Sequence, residues 1–142
     1  VLRHPCDCVL SCFMNRFQMN DAMANFVELN DTINFYNKVM SLWIQITNEL
    51  PINFISIKYE NIVNDLKETA EPLLNYFNLE WEKSIYLFNN TALKKNIIST
   101  PSYNQVINPL YNQAIGRWQK YEKIIKIYPK LEKWIKKFKY DF

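Results

Sequence analysis

The sequence predicts an α/β fold in which parallel strands are flanked by predominantly helical structure. Two segments have the pattern of strands, residues 1–3 and 53–59, and long stretches with helical spacing of apolar residues follow each of them. This order, with long crossovers, is typical of part of a parallel sheet. The 142 residues, of which 49% are hydrophobic and 15% aromatic, suffice for the core of one globular domain.

The first strand leads directly into a helix. Val1–Arg3 is typical of the end of a buried strand, and Pro5 suits the first turn of a helix, where its missing N–H costs nothing. An apolar helix face follows at Val9, Cys12 and Phe13, with Cys8 beside it. Asn20 and Asp21 predict the cap of a second, short helix.

A long amphipathic helix comes next. One of its faces repeats at alternating four- and three-residue steps, and Pro51 ends the pattern. The residues of this face are Leu29, Ile33, Tyr36, Met40, Trp43, Thr47 and Leu50, with Val39 and Ile46 widening it. An aromatic stripe at this spacing is core far more often than a ligand site, so we expect the face to be buried.

The second predicted strand is Asn53–Tyr59, where apolar side chains alternate with polar ones. Helical spacing resumes from Ile62 to Phe77, and Pro72 is expected to kink or split that helix. Trp81–Phe88 predicts one further short helix.

The rest of the chain predicts a long loop and two helices. Residues 89–112 have no period and are rich in Asn, Ser, Thr and Pro, and a loop of this length is usually functional or disordered. Ile115–Tyr121 and Pro129–Phe138 are predicted to be helical.

Gly116 is the only glycine of the chain. Loops that cradle a phosphate with their backbone need several glycines, because the chain must turn tightly and approach the anion. The sequence therefore excludes such a loop, and any phosphate site must use side chains and helix N-termini.

The three cysteines, Cys6, Cys8 and Cys12, lie within seven residues. An odd number with no other cysteine in the chain argues against a disulfide framework, and this favours a reducing, cytoplasmic setting. His4 and Asp7 lie nearby and suggest a metal site, but zinc sites usually add a second pair of ligands far along the chain, which is missing. We therefore expect buried cysteines on an apolar helix face and no metal.

Charge is unevenly distributed along the chain. From Arg117 to the end there are nine basic and three acidic residues, a net charge of +6, whereas residues 1–116 carry −3. We favour a solvated helix with long lysine stems over a nucleic-acid surface for this tail. No apolar run approaches the length of a membrane span, so no membrane contact is expected.

Arg3 and Ser11 form the first candidate site. Ligands of open α/β sheets bind at the carboxyl ends of strands, where Arg3 is predicted to lie, and a guanidinium can hold a phosphate with two hydrogen bonds. Ser11 would lie on the second turn of the following helix and add a hydroxyl donor. From spacing alone, an Arg that pairs with a carboxylate at a strand end is an equal alternative.

The segment from Arg3 to Ser11, Arg-His-Pro-Cys-Asp-Cys-Val-Leu-Ser, resembles the signature Arg-x-Pro-x-Asp-x-x-x-Ser of the sulfotransferase family. Residues 12–14 and 20–23 continue the resemblance, which extends over essentially the whole chain and is strongest to bacterial sulfotransferases linked to tetratricopeptide repeats and to protein-tyrosine sulfotransferases. It implies a P-loop-like three-layer fold and the sulfonate donor 3′-phosphoadenylyl sulfate (PAPS), whose 3′-phosphate Arg3 and Ser11 would bind.

Three later segments agree with this resemblance. Lys-Tyr-Glu-Asn-Ile-Val, around Tyr59, is similar to a family segment whose Tyr lies beside the adenine. The loop around Ser102 is similar to one with a serine near the transferring sulfonate, although Asn108 replaces its lysine. Gly-Arg-Trp, around Arg117, is similar to a segment whose basic residue approaches the phosphates. The alternatives are an ordinary strand end for Tyr59, a serine in a turn for Ser102 and a solvated charge for Arg117.

The resemblance also implies which part of a sulfotransferase domain this chain forms and which reaction the intact protein catalyses. Residues 1–142 would be the C-terminal part of one sulfotransferase domain, without the N-terminal loop that holds the 5′-phosphosulfate. The intact protein would transfer a sulfonate from PAPS to a hydroxyl acceptor on a peptide, glycan or small molecule, with tetratricopeptide repeats upstream. This chain would supply the 3′-phosphate and adenine side of the donor site, be inactive alone and contain no general base. The alternative is a non-enzymatic helical binding module that acts through the Lys-rich tail, residues 120–139.

Overall fold

The computed structural model describes residues 1–94, 108–125 and 129–141 and shows a helical protein. In chain order the α-helices are α1 (Pro5–Met14), α2 (Leu29–Glu49), α3 (Tyr59–Asn64), α4 (Leu66–Tyr76), α5 (Phe88–Lys94), α6 (Glu122–Ile125) and α7 (Pro129–Lys137). Short 3₁₀ helices lie at Met23–Phe26, Lys83–Leu87 and Arg117–Tyr121.

The chain divides into two compact units. The terminal unit consists of Leu2–Ser56 and Gln113–Phe142, and the middle unit consists of Val1 and Ile57–Asn112.

The core of the terminal unit forms where α1, α2, α7 and the 3₁₀ helix at Arg117–Tyr121 meet. Its buried residues are Cys6, Val9, Leu10, Ile33, Trp118, Leu131 and Ile135. In α7 the apolar residues recur at helical steps and face this core, whereas the lysines lie outside. The core therefore joins the first residues of the chain to the last.

The helix α2 confirms the prediction of a long helix that ends before Pro51, since its last residue is Glu49. The prediction that its whole apolar face is core is wrong. Ile33 is fully buried, but 36% of Trp43 and 54% of Leu50 are exposed. The helices that pack on α2, α1 and α7, have 10 and 9 residues, whereas α2 has 21, and they leave part of its apolar face exposed.

The predicted parallel sheet, and with it the α/β three-layer fold, is wrong for the described residues, in which no strand forms. Of the two segments predicted as strands, 1–3 and 53–59, only single isolated positions, Leu2 and Lys58, have a sheet-like pairing. An alternating pattern predicts extended backbone, but a strand also needs a neighbour that completes its hydrogen bonds over several residues.

The segment that precedes α3 is extended without being a strand. The backbone at Lys58 has φ −86° and ψ 134°, values of the β region. Within the terminal unit, Phe54 packs edge-on against Trp43 of α2, with ring centroids 5.4 Å apart. Phe54 of the predicted strand therefore contacts α2 through its ring, and no strand forms among the described residues of this segment.

In the middle unit, the helix predicted from Ile62 to Phe77 is split, but at Asp65 and not at Pro72. The Asp65 Oδ1 atom accepts the Glu68 backbone N–H at 2.9 Å and thereby caps α4. Pro72 lies inside α4. A side-chain cap, and not the proline, therefore decides where the helix breaks.

The remaining helices lie close to their predicted positions. Lys83–Leu87 is a 3₁₀ helix, and α5 continues it into the first part of the predicted loop. Asn20 Oδ1 accepts the Met23 backbone N–H at 2.9 Å, but the N-cap residue of the 3₁₀ helix is Ala22 and not Asn20 or Asp21. Across the described parts of the chain, no helix is both long enough and apolar enough to cross a membrane.

Candidate functional site

The site begins at the N-terminus of α1, which is formed by residues of the predicted signature. Pro5 is in the first turn of α1, and His4 caps it because His4 Nδ1 accepts the Cys6 backbone N–H at 3.2 Å. His4 Nε2 lies 2.9 Å from the Asp141 carbonyl oxygen, to which it must donate. Both ring nitrogens of His4 therefore serve the fold.

Arg3 lies directly before this cap. Its Nη2 donates to the Ala114 carbonyl oxygen at 2.8 Å, so the guanidinium is fixed to the turn that precedes Arg117. A cation held at the N-terminus of a ten-residue helix adds to the positive end of the helix dipole. The Asp7 carboxylate in the first turn of α1 lies at the same end and opposes this positive charge.

Ser11 lies on α1, half-buried, two turns after the cap. Its neighbour on the helix surface is Cys8, three residues earlier. The pKa of the Cys8 thiol is raised, chiefly by its interaction with Cys12 and by burial, and the positive charge of Arg3 opposes this rise. Arg3 therefore lies within electrostatic reach of this part of α1.

Asp7 connects α1 to the segment around Arg117. Its Oδ2 accepts the Gly116 backbone N–H at 2.8 Å, and its Oδ1 accepts the Trp118 backbone N–H at 2.9 Å. Only 1% of Asp7 is exposed. A buried carboxylate with two charge-assisted hydrogen bonds holds both N–H groups rigidly, so the backbone on either side of Arg117 is fixed.

The fixed segment has a left-handed turn that explains its glycine. Gly116 has φ +67° and ψ 13°, a conformation that residues with a Cβ atom rarely adopt. From this turn Trp118 enters the core, with 3% exposed, while Arg117 is exposed. Arg3 and Arg117 are thus brought to one side of the terminal unit, since Arg3 bonds to Ala114 in the same turn.

His4 reinforces the same contact. Its ring stacks on Trp118 with centroids 4.8 Å apart and planes 8° from parallel, and Tyr140 packs against it edge-on at 5.2 Å. The start of α1 is therefore clamped to the Gly116–Trp118 segment by hydrogen bonds on one side and by aromatic stacking on the other.

The structure treats the other two predicted site residues differently. Tyr59 lies in the middle unit, where it is the first residue of α3 and half-buried, so it does not end a strand as predicted. Ser102 lies outside the described residues. Of the other predicted positions, Arg3 bonds to the turn that precedes Arg117, and Ser11 lies on the same helix as Asp7, which accepts hydrogen bonds on both sides of Arg117.

Sequence reasoning missed the roles of Asp7 and His4. Both residues had been considered only as possible metal ligands, and Asp7 also as a position of the signature without an assigned task. One signal was available: an acidic residue on the apolar side of a helix, among Cys6, Val9 and Leu10, needs a buried hydrogen-bonding partner.

Groups that could bind an anion in the terminal unit are the two guanidinium groups of Arg3 and Arg117 and the hydroxyl of Ser11. The N-terminus of α1 is already capped by His4, and the Asp7 carboxylate lies in its first turn. Among the residues that the structure describes, no group of three or more His, Cys, Asp or Glu side chains could hold a metal ion. All three cysteines are free thiols.

Comparison with known proteins gives two relationships. A model of the sulfotransferase family matches residues 1–83, a stretch that includes Arg3, Ser11 and Tyr59. A protein of Aquifex aeolicus (strain VF5) with the name "Uncharacterized protein" is 21% identical over 127 residues, which are 87% of this chain and 16% of that protein. The chain thus spans about one sixth of the length of that relative.

No solved structure matches the chain. The match to the family model covers more than half of the 142 residues, and it includes the segment from Arg3 to Ser11. The chain belongs to the sulfotransferase family.

Proposed function

We propose that this chain supplies the nucleotide 3′-phosphate side of the donor site in a PAPS-dependent sulfotransferase. Arg3 and Ser11 bind the 3′-phosphate, and Arg117 approaches the nucleotide phosphates. Family membership supports the reaction class, because sulfotransferases move a sulfonate group. The choice of donor rests on the residues of the signature and their surroundings.

The two hydrogen bonds that Asp7 accepts from the Gly116 and Trp118 backbone N–H groups carry the proposal. Arg3 and Arg117 are far apart in sequence, and a phosphate dianion needs both at fixed positions beside one hydroxyl. Asp7 keeps the Arg117 backbone against the helix that bears Ser11, so the binding groups need little reorganisation when the anion arrives. Preorganised donors of this kind are what stabilisation of a phosphate requires.

The reaction itself is an in-line transfer of the sulfonate to an acceptor hydroxyl, with release of adenosine 3′,5′-bisphosphate. Such a transfer depends mainly on positioning and on charge stabilisation. The residues proposed above hold the part of the donor that does not react, and their binding energy orients the reacting sulfonate. His4 is not the general base, because both of its ring nitrogens are engaged.

Several wider assignments belong to the same proposal. Residues 1–142 form the C-terminal part of one sulfotransferase domain, Tyr59 lies beside the adenine, and Ser102 contacts the sulfonate. The acceptor carries a hydroxyl on a peptide, a glycan or a small molecule. Tetratricopeptide repeats upstream would belong to the intact protein.

The test is binding of adenosine 3′,5′-bisphosphate to the protein by calorimetry, with adenosine 5′-monophosphate as the analogue that lacks the 3′-phosphate. We expect Arg3→Ala and Ser11→Ala to weaken the bisphosphate and to leave the monophosphate unchanged. Loss of a hydrogen bond to a charged group costs about 1.5–3 kcal/mol, so Arg3→Ala should weaken binding roughly 10- to 100-fold.

Arg16→Ala is the matched control, because Arg16 is an exposed arginine just after α1. It should change binding less than about 2-fold, since exposed charges contribute little. Equal affinity for the two nucleotides, or bisphosphate binding that survives both Arg3→Ala and Arg117→Ala, would disprove the proposal.

The Lys-rich tail gives less support to the alternative of a binding module. In α7, Lys136 forms an ion pair with Glu132 at 2.6 Å, and Lys133 lies 4.6 Å from the centre of the Trp134 ring. Lys130 contacts the side-chain oxygen of Asn34 on α2. These lysines are used within the chain, as expected for a solvated helix that covers its own core.

A further inference from the structure

A groove of about 410 Å³ lies between α2 and α7, two helices of the terminal unit. The residues that line it are Ser41, Ile44, Lys133, Trp134 and Lys137. None of them belongs to the proposed donor site, so the proposed function leaves this groove without a role.

The groove lies at the end of a pairing between the two helices. Lys130 contacts the side-chain oxygen of Asn34, and one turn later Trp134 Nε1 donates to Asn37 Oδ1 at 3.2 Å. Each of these turns of α7 thus lies beside one turn of α2. Helix α7 ends at Lys137, and the groove lies at this end, beside the second half of α2.

The floor of the groove is apolar and its rim is positively charged. Ile44 is half-buried, and Trp134 is 3% exposed and stacks on Phe138 with ring centroids 5.6 Å apart. Lys133 and Lys137 are both exposed. The Lys133 Nζ atom lies 4.6 Å from the centre of the Trp134 ring, a cation–π contact that holds this ammonium beside the floor.

We propose that this groove docks an acidic segment of a partner protein. The segment places one bulky apolar side chain against Ile44 and Trp134. Its carboxylates pair with Lys133 and Lys137 at the rim. The inference does not depend on the proposed function, which uses none of these residues.

Charge complementarity points to an acidic partner. Helix α7 contains four lysines and one glutamate, and that glutamate, Glu132, already pairs with Lys136. Among the described residues that line the groove, none is acidic, so the groove attracts carboxylates. A second copy of this chain is disfavoured as the occupant, because the chain carries a net charge of +3 and repels itself.

The shape of the groove favours a side chain that belongs to a longer segment. Its volume lies within the range of ligand clefts, roughly 300–1,000 Å³, but clefts for small molecules enclose most of the ligand. This groove opens to solvent and covers only one side of its occupant. Grooves beside helices commonly bind a partner segment through apolar anchor side chains. An anchor flanked by carboxylates therefore matches both the floor and the rim.

The test uses the isotope-labelled protein and a synthetic peptide in which a central phenylalanine is flanked by glutamates. The peptide contains no Ser, Thr or Tyr, so it cannot bind as a hydroxyl acceptor. In an NMR titration we expect it to shift the indole N–H signal of Trp134 and the methyl signals of Ile44. Added salt should weaken binding, because exposed charges are screened.

Variants of exposed lysines then separate the rim from the rest of α7. The double variant Lys133→Gln, Lys137→Gln should weaken the peptide about 10-fold, since it removes two exposed ion pairs. Lys136→Gln is the matched control, because it makes the same change on the same helix outside the groove, and it should alter binding less than about 2-fold. A peptide with alanine in place of phenylalanine should bind at least about 10-fold more weakly.

The other outcomes overturn the inference. These are an absence of saturable shifts at Trp134, an equal loss in Lys136→Gln, or equal binding of a peptide with lysines in place of the glutamates. Shifts of Trp134 that depend on protein concentration without peptide would assign the groove to a second copy. Binding to vesicles that contain phosphatidylserine, but not to the peptide, would assign it to a membrane surface. The double variant should keep the affinity for adenosine 3′,5′-bisphosphate, so this inference and the proposed function fail separately.

Discussion

The Asp7 Oδ1 atom accepts the backbone N–H of Trp118 at 2.9 Å, a hydrogen bond between residues 111 positions apart. The second oxygen of the same carboxylate accepts the Gly116 N–H. Both contacts are buried or partly buried, and they join the first helix of the terminal unit to the segment that carries Arg117. The following three predictions test this junction and its surroundings.

Replacing Asp7 should destabilise the terminal unit markedly. Asp7→Asn keeps the size of the side chain, but its amide has one acceptor oxygen, so the NH₂ group would face one of the two N–H donors. The variant loses hydrogen bonds to a charged group and leaves a buried N–H donor unsatisfied. We therefore expect the free energy of unfolding, measured by urea unfolding, to fall by about 3 kcal/mol.

The control for Asp7→Asn is Asp21→Asn, the same change at an exposed position just before the 3₁₀ helix at Met23–Phe26. It should alter the free energy of unfolding by less than about 0.5 kcal/mol. Similar losses for the two variants would show that the Asp7 hydrogen bonds do not stabilise the folded protein.

Gly116→Ala should be destabilising because of the backbone, not because of crowding. A Cβ atom at Gly116 would lie 3.4 Å from Gln119 Oε1, an ordinary contact with a flexible side chain. The left-handed conformation at φ +67° costs a residue with a Cβ atom about 1–2 kcal/mol. Gly116→Asn should cost less, since Asn tolerates this region. Thermal or urea unfolding of the two variants measures the loss of stability in each. Equal losses for Gly116→Ala and Gly116→Asn would contradict backbone strain as the cause.

Stability should fall as the pH rises above about 9. Burial, with the nearby charge of Asp7, raises the pKa of Cys6 from 9.0 to about 12. Between these values the unfolded chain has lost the Cys6 proton and the folded protein has kept it. The unfolded state therefore binds fewer protons, and the free energy of unfolding decreases with pH. The urea midpoint at about pH 8 and about pH 11 measures this decrease.

Cys6→Ala is the variant that tests the assignment. It removes the titrating group, so its midpoint should fall less between the two pH values than that of the wild type, although packing is lost at both. Burial also raises the pKa of Tyr36, so part of the decrease should remain. If the urea midpoint of Cys6→Ala falls as much between the two pH values as that of the wild type, Cys6 does not cause the decrease.

The sequence by itself determined the helices and the family. Apolar spacing and Pro51 set the extent of α2, and the pattern of α7 placed its lysines outside and its apolar residues inside. The signature from Arg3 to Ser11 pointed to the sulfotransferase family, which the family match to residues 1–83 bears out. These features are local, since each depends on residues within a few turns of one another.

Only the tertiary structure decided which of these residues meet. Alternation at 53–59 predicted extended backbone correctly but not a strand, because a strand depends on a neighbour that a local pattern does not specify. The stripe of α2 is buried only as far as its short partners reach. Hydrogen bonds join the two ends of the sequence. Arg3 bonds to the turn before Arg117, and the carboxylate of Asp7 holds this turn. Spacing within a chain cannot encode such contacts, because their energy comes from burying together groups that are far apart in sequence.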